Sequence, residues 1–295
     1  MTPLQVAPEE FLTDPASVYS QLDPVQRMRG PDGFEYYLIT RYDLAKAALL
    51  DRRLVNNPGT DDDRYLPLIN SDGPDHARLR AVLAHDMNHK QIERLRPEIQ
   101  RITDELLDGF PAHGVVDLVS ALAFPLPVRT LCGLLGVPQR HREPFEAFAA
   151  MAMGTSLSHA EKSRRIRVFF TRLVAVQRRD PNTTGLLATL ISACEEGQIT
   201  ERELVGLCVV LFVAGLETTT NLISNGVVTM LLASKFQAPD PVALEELVRS
   251  EGSASQAAIR LAADDVTIEG VTIPAGSMVQ IGLAGANRDL AEFVE

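Results

Sequence analysis

Tryptophan is absent, and aromatic residues make up only 5% of the chain, so the 45% hydrophobic content is almost all aliphatic. A core of Leu, Val and Ala is typical of packed helices, and 295 residues suffice for one large domain. The three cysteines, Cys132, Cys194 and Cys208, are scattered singly. They have neither metal-ligand spacing nor the even number a disulfide set needs, which fits a reducing, cytoplasmic compartment. An excess of positive charge is also missing: Lys and Arg number 28 against 39 Asp and Glu, a net charge of −11. That argues against a general nucleic-acid binder. The opening MTPLQVAPEEFL has no basic segment ahead of an apolar one, so neither signal peptide nor membrane anchor is expected. There is no repeat and no low-complexity tract. His85, His89, His113, His141 and His159 form no metal spacing and read as surface or capping residues.

One stretch dominates what is present, Ile199 to Leu232. Thr200 followed by Glu203 is a capping-box start for a helix. Nothing stops that helix before Ala233, giving it about 32 residues and roughly 48 Å. Leu204 to Leu216 is apolar on every face, the pattern of a helix buried all round. Then Ala214, Gly215, Leu216, Glu217, Thr218, Thr219 and Thr220 put small residues, an acid and hydroxyls at its centre. Gly215 weakens a helix interior by about 1 kcal/mol relative to Ala. Threonines there can bond back to the carbonyl four residues earlier and bend the helix. A buried Glu217 would need a partner or a proton. Three readings fit. A membrane span is one, although the apolar run breaks at Glu217, short of about 18 residues. The second is a core helix with a hydroxyl-lined kink. The third is a groove where Ala214 and Gly215 admit a large flat ligand beside proton-handling Glu217 and Thr218.

Elsewhere the chain reads as helices with small sheets. Residues 1–30 mix short helical pieces. Glu35 to Thr40 is a strand leading into a helix over Tyr42 to Leu50. The polar segment Asn56 to Asp72 is a loop of the length that often carries function. Helices follow over Gln91 to Phe110, where Ile92, Leu95, Ile99, Ile102, Leu106 and Leu107 recur at helical spacing, and over Phe124 to about Gly136. Two more cover Glu143 to Met153 and Ser163 to Val176, the second with an arginine-rich solvated face. After a link over 234–240 come a short helix from Pro241 to Arg249 and a strand over Gln256 to Ala262. A hairpin over Asp264 to Ser277 and a strand over Val279 to Leu283 complete the pattern.

Two polar spacings stand out. His76 and Arg80, on a helix opened by Pro74, are at i and i+4 and so share one face. Such a pair suits a carboxylate, arginine's fork especially. On residue types alone it reads more simply as a solvated basic turn. Glu246 and Arg249, at i and i+3, can pair on their helix, a contact worth about 0.3–0.5 kcal/mol on a surface.

AGLETT, with His76–Arg80, the Leu134 to Pro138 run LLGVP, Glu246–Arg249 and Ala286 to Asp289, resembles bacterial cytochromes P-450 in motif and in order. The resemblance implies a cytochrome P-450 fold, mainly α with small β-sheets, as a single domain over 1–295. It implies haem as cofactor, with His76, Arg80 and Arg260 toward the propionates and Ala214 and Gly215 against the haem face. Glu217 and Thr218 would be the acid and alcohol that pass protons to iron-bound oxygen, and Glu246 with Arg249 a buried structural pair. The loop over 56–72 would cover the substrate pocket. Two local departures are a shortened segment before Glu246 and Ser250 to Ser253 in place of an aromatic and a proline.

In that family a glycine-rich loop carrying the iron's cysteine ligand and a long helix follow the point where this sequence stops, at Glu295. The fold would then be incomplete at the C-terminus and no axial metal ligand would lie within the chain. Cys208 belongs to the helix on the opposite haem face, and neither Cys132 nor Cys194 has the ligand context. An apolar patch would be left for a protein partner to cover. The expected function is a dioxygen-activating monooxygenase lineage acting on a small organic molecule, a secondary metabolite or xenobiotic, with electrons from a separate ferredoxin-type protein. The alternatives are a haem-free auxiliary partner that activates a glycosyltransferase, and a decayed gene product.

Overall fold

The computed structural model describes residues 3–4, 15–30, 33–56, 66–154, 157–233 and 240–293. Most of the loop expected over 56–72, namely 57–65, and most of the link expected over 234–240, namely 234–239, lie outside the described residues. Along the chain come α1 (Pro15–Ser20), β1 (Val25–Arg29), β2 (Glu35–Ile39), α2 (Tyr42–Leu50) and β3 (Leu54–Val55). Next are α3 (Gly73–Ala84), α4 (His89–Asp108), a π-type turn at Val119–Ala123, α5 (Pro125–Leu135), α6 (Gln139–Met153) and α7 (His159–Gln177). Then follow α8 (Gly185–Glu195), α9 (Glu201–Leu232), α10 (Pro241–Glu251), β4 (Arg260–Ala262), β5 (Val266–Ile268), β6 (Val271–Ile273), β7 (Met278–Ile281) and α11 (Leu283–Ala286). The chain forms two compact units, one from Met1–Thr60 with Phe236–Glu295, the other from Asp61–Lys235.

The helical unit is built on α9. Its capping box is complete: Glu203 N–H donates to Thr200 Oγ1 at 3.2 Å, and Thr200 N–H donates to Glu203 Oε2 at 2.8 Å. By length and composition α9 could cross a bilayer. Instead its first half is core, with Leu204, Gly206 to Phe212 and Leu216 buried. Five of the scarce aromatics meet here. Phe145 and Phe148 of α6, Phe169 and Phe170 of α7 and Phe212 of α9 pack together, Phe148 stacked on Phe169 at 3.9 Å and Phe212 edge-on to Phe170 at 5.5 Å. Edge-to-face ring pairs of this kind add about 0.5–1.5 kcal/mol each beyond the area they bury. Of the apolar stripe expected on α4, Ile102 is fully buried while Ile92 and Leu107 stay exposed. α5 ends at Gly136 in the left-handed region, φ 74°, the usual glycine stop.

The other unit is a five-stranded sheet in the order β1-β2-β7-β4-β3 with a separate β5–β6 hairpin. β2 and β7 pair in parallel, the remaining pairs antiparallel. Leu38, Ile39, Val279 and Ile281 are wholly buried. The expected strand over Gln256 to Ala262 shrinks to Arg260–Ala262, because its neighbour β3 offers only two residues to pair with. β1 was not expected; its Arg27 and Arg29 both bind Glu35 of β2, Arg27 at 2.6 Å. The hairpin turns through Glu269 (φ 48°) and Gly270 (φ 74°), both left-handed as a two-residue type I′ connection requires.

Candidate functional site

The centre of α9 is where the helix leaves the core. Val213, Ala214, Glu217, Thr218 and Thr219 are exposed, while Leu216 between them remains fully buried. Glu217 is therefore a solvent-facing carboxylate, against the buried acid the apolar run suggested, because the burying neighbours flank only one side of α9 beyond Phe212. Its carboxylate makes no hydrogen bond or ion pair among the described residues. Thr218 Oγ1 donates to Ala214 O at 2.6 Å, the back-bond expected from a mid-helix threonine. A Cβ added at Gly215 would meet nothing within 4 Å, so the ground beside it is open to a flat ligand.

His76 and Arg80 lie on α3, whose first turn contains Pro74. His76 is half-buried and Arg80 exposed. Neither side chain makes a hydrogen bond or ion pair among the described residues. Between them on the chain, Arg78 behaves differently. It donates to Glu203 Oε1 at 2.6 Å, to Glu203 Oε2 at 3.3 Å and to Gln198 O at 2.9 Å. The sequence reading missed this contact: both residues were visible, but nothing local reveals a pairing across 125 positions. No hydrogen bond joins the α3 pair to Glu217 or Thr218.

The remaining candidates belong to the sheet unit. Arg260, half-buried on β4, donates to Leu54 O at 3.2 Å. Arg249 forks onto Glu246, also donates to Asn287 O, and stacks over the Phe293 ring at 4.5 Å. Glu246 is 57% exposed, so the expected pair forms with one member at the surface rather than buried.

Among the described residues no group of three His, Cys, Asp or Glu side chains could hold a metal ion. Cys132 and Cys208 are fully buried, and burial pushes both thiols up to about 12. Burial thus holds both as neutral thiols in the core, not as the thiolates that ligate metal.

No family model matches the chain. Whole-protein comparison does. It is 37% identical over 302 residues to vitamin D(3) 25-hydroxylase of Pseudonocardia autotrophica, covering 95% of this chain and 75% of that protein. Against cytochrome P450 107B1 of Saccharopolyspora erythraea it is 34% identical, covering 97% of this chain and 78% of that one. The fold matches the tirandamycin C-bound P450 monooxygenase TamI with a TM-score of 0.88 and 34% identity, over 99% of this chain and 81% of that one. The helical architecture, the small sheets and these relatives agree: the chain belongs to the bacterial cytochromes P450, a haem-dependent monooxygenase family.

Proposed function

We propose that this chain supplies the dioxygen-side residues of a monooxygenase site for a small organic substrate, a secondary metabolite or xenobiotic, reduced by a ferredoxin-type partner. His76 and Arg80 would hold haem propionates, and Ala214 with Gly215 would form the open wall facing the ring. When bound, the haem supplies the iron that binds and activates dioxygen.

The chain's own residues then govern protons. Glu217, in solvent, exchanges protons with bulk water. Thr218, next to it, rests its proton on Ala214 O; a hydroxyl oxygen keeps acceptor capacity while it donates. That bond holds Oγ1 in one place, and turning the hydroxyl presents a proton from the same point. Such positioned acid–base steps contribute roughly 10²–10⁴-fold to a rate. Glu246 and Arg249 brace their own unit and take no part in proton handling. The haem-free partner reading draws no support from the relatives.

The observation that supports this reading best is the pair of basic side chains on one face of α3 that make no hydrogen bond or ion pair among the described residues. Titrating haem into the purified protein, with absorbance as the readout, tests it. His76→Ala/Arg80→Ala is expected to weaken binding by about tenfold or more, as loss of charge-assisted hydrogen bonds worth about 1.5–3 kcal/mol each implies. Unchanged affinity would overturn it.

A further inference from the structure

α3 is a short helix whose apolar hold on the core comes from Leu79, Val82 and Leu83. Apolar contacts are non-directional, so they leave the rotation of a short helix about its axis weakly defined. Arg78 supplies a direction. Residues two apart on a helix are separated by about 200°, so Arg78 points away from the face shared by His76 and Arg80. Its guanidinium is fixed at three oxygens: both carboxylate oxygens of Glu203 and the carbonyl of Gln198. Glu203 is only 12% exposed and is itself tied to Thr200 by the capping box, so the anchor is rigid. The additional contact to Asp75, at 3.2 Å and 73% exposed on the acid's side, contributes little by comparison.

We infer that Arg78 is a positioning residue: its fork onto Glu203 sets the rotation of α3 and so aims His76 and Arg80 at the propionates. This rests on the proposed role of His76 and Arg80. Arg78 touches no part of the haem in this account; it acts through the two residues that do.

Haem titrations of the full chain in two backgrounds separate aim from general stability, because residues acting through one another are non-additive in a double-mutant cycle. Arg78→Ala is expected to weaken haem binding by about five- to tenfold in the native background, and by less than about twofold when His76→Ala/Arg80→Ala is already present. Arg78→Lys, which keeps the charge without the fork, should recover part of the loss, and Arg78→Gln is measured beside it should Arg78→Ala fold poorly. An equal loss in both backgrounds would overturn the inference, since that marks a structural role only. So would haem binding by Arg78→Ala and Arg78→Gln as tight as native while His76→Ala/Arg80→Ala binds weakly. If His76→Ala/Arg80→Ala binds as the native chain does, or the native chain binds no haem, the propionate reading fails and this one with it.

Discussion

Thr218 Oγ1 lies 2.6 Å from the carbonyl oxygen of Ala214, one turn back along α9, at the point where the helix emerges from the core. The bond draws on a carbonyl that normally serves only the helix ladder, and so loosens the helix beside the open ground at Gly215. It also holds an exposed hydroxyl at a defined position.

Thr218→Ala removes that hydroxyl without disturbing the core, so stability should change by no more than about 0.5 kcal/mol, as is usual for exposed positions. In an enzyme assembled with its haem and redox partner, product formed per electron consumed should fall by about tenfold or more, the lower end of acid–base contributions. Parallel measurement of reductant consumption and product checks it; unchanged coupling would remove Thr218 from the proton path.

Gly136 and Gly185 let the end of α5 and the start of α8 meet backbone to backbone. A Cβ at Gly136 would sit 1.9 Å from Thr184 O, and φ is already 74° there. Gly136→Ala should therefore lower the melting temperature by several degrees, at about 2–4 °C per kcal/mol for a domain of this size. Gly133→Ala, on α5 with nothing within 4 Å, is the control and should be neutral or slightly stabilising.

Phe212 is wholly buried where five phenylalanine rings converge. Phe212→Ala should cost about 3–5 kcal/mol in denaturant unfolding, as for other buried Phe truncations. Val213→Ala, at the neighbouring but 39% exposed position, should cost less than about 1 kcal/mol.

Burial by itself would raise the Glu203 carboxyl, but hydrogen bonds from Arg78 and Thr200 outweigh it and hold the group below the ordinary carboxylate range. A carboxylate depressed in the folded state stabilises it above the unfolded pKa, and that contribution disappears as pH falls through the folded value. Stability of the native chain should thus decline on acidification from about pH 5 downward more steeply than that of Glu203→Gln. Denaturant melts across pH 6 to 3 check it; parallel profiles would contradict it.

How much could be read in advance followed the range of the forces. Local signals marked α9, with Thr200 and Glu203 at its start, and the helix at Tyr42–Leu50 falls where its pattern placed it. The hairpin was announced by alternation around Glu269 and Gly270. β1 was hidden because VQRMR has little strand character of its own; pairing with β2 and the Glu35 contacts make it a strand. α8 went unread between the arginine-rich helix and the capping box, although Leu186, Leu187, Leu190 and Ile191 are buried along it. The exposure of Glu217 was missed for a related reason, since an apolar run tells how a helix begins to be buried but not where its neighbours end. The i, i+4 spacing of His76 and Arg80 showed only that they share a face, and their assignment to the propionates came from the family resemblance, whereas the Arg78–Glu203 anchor is a tertiary contact with no local signature.

The most direct measurement compares haem with haem dimethyl ester, which lacks the propionate carboxylates, in native protein and in His76→Ala/Arg80→Ala. If these two side chains hold the propionates, native protein binds the ester about tenfold or more weakly than haem, and the double variant no longer distinguishes them. Equal binding of both ligands by native protein, or a preference for haem that survives in the variant, would contradict the account.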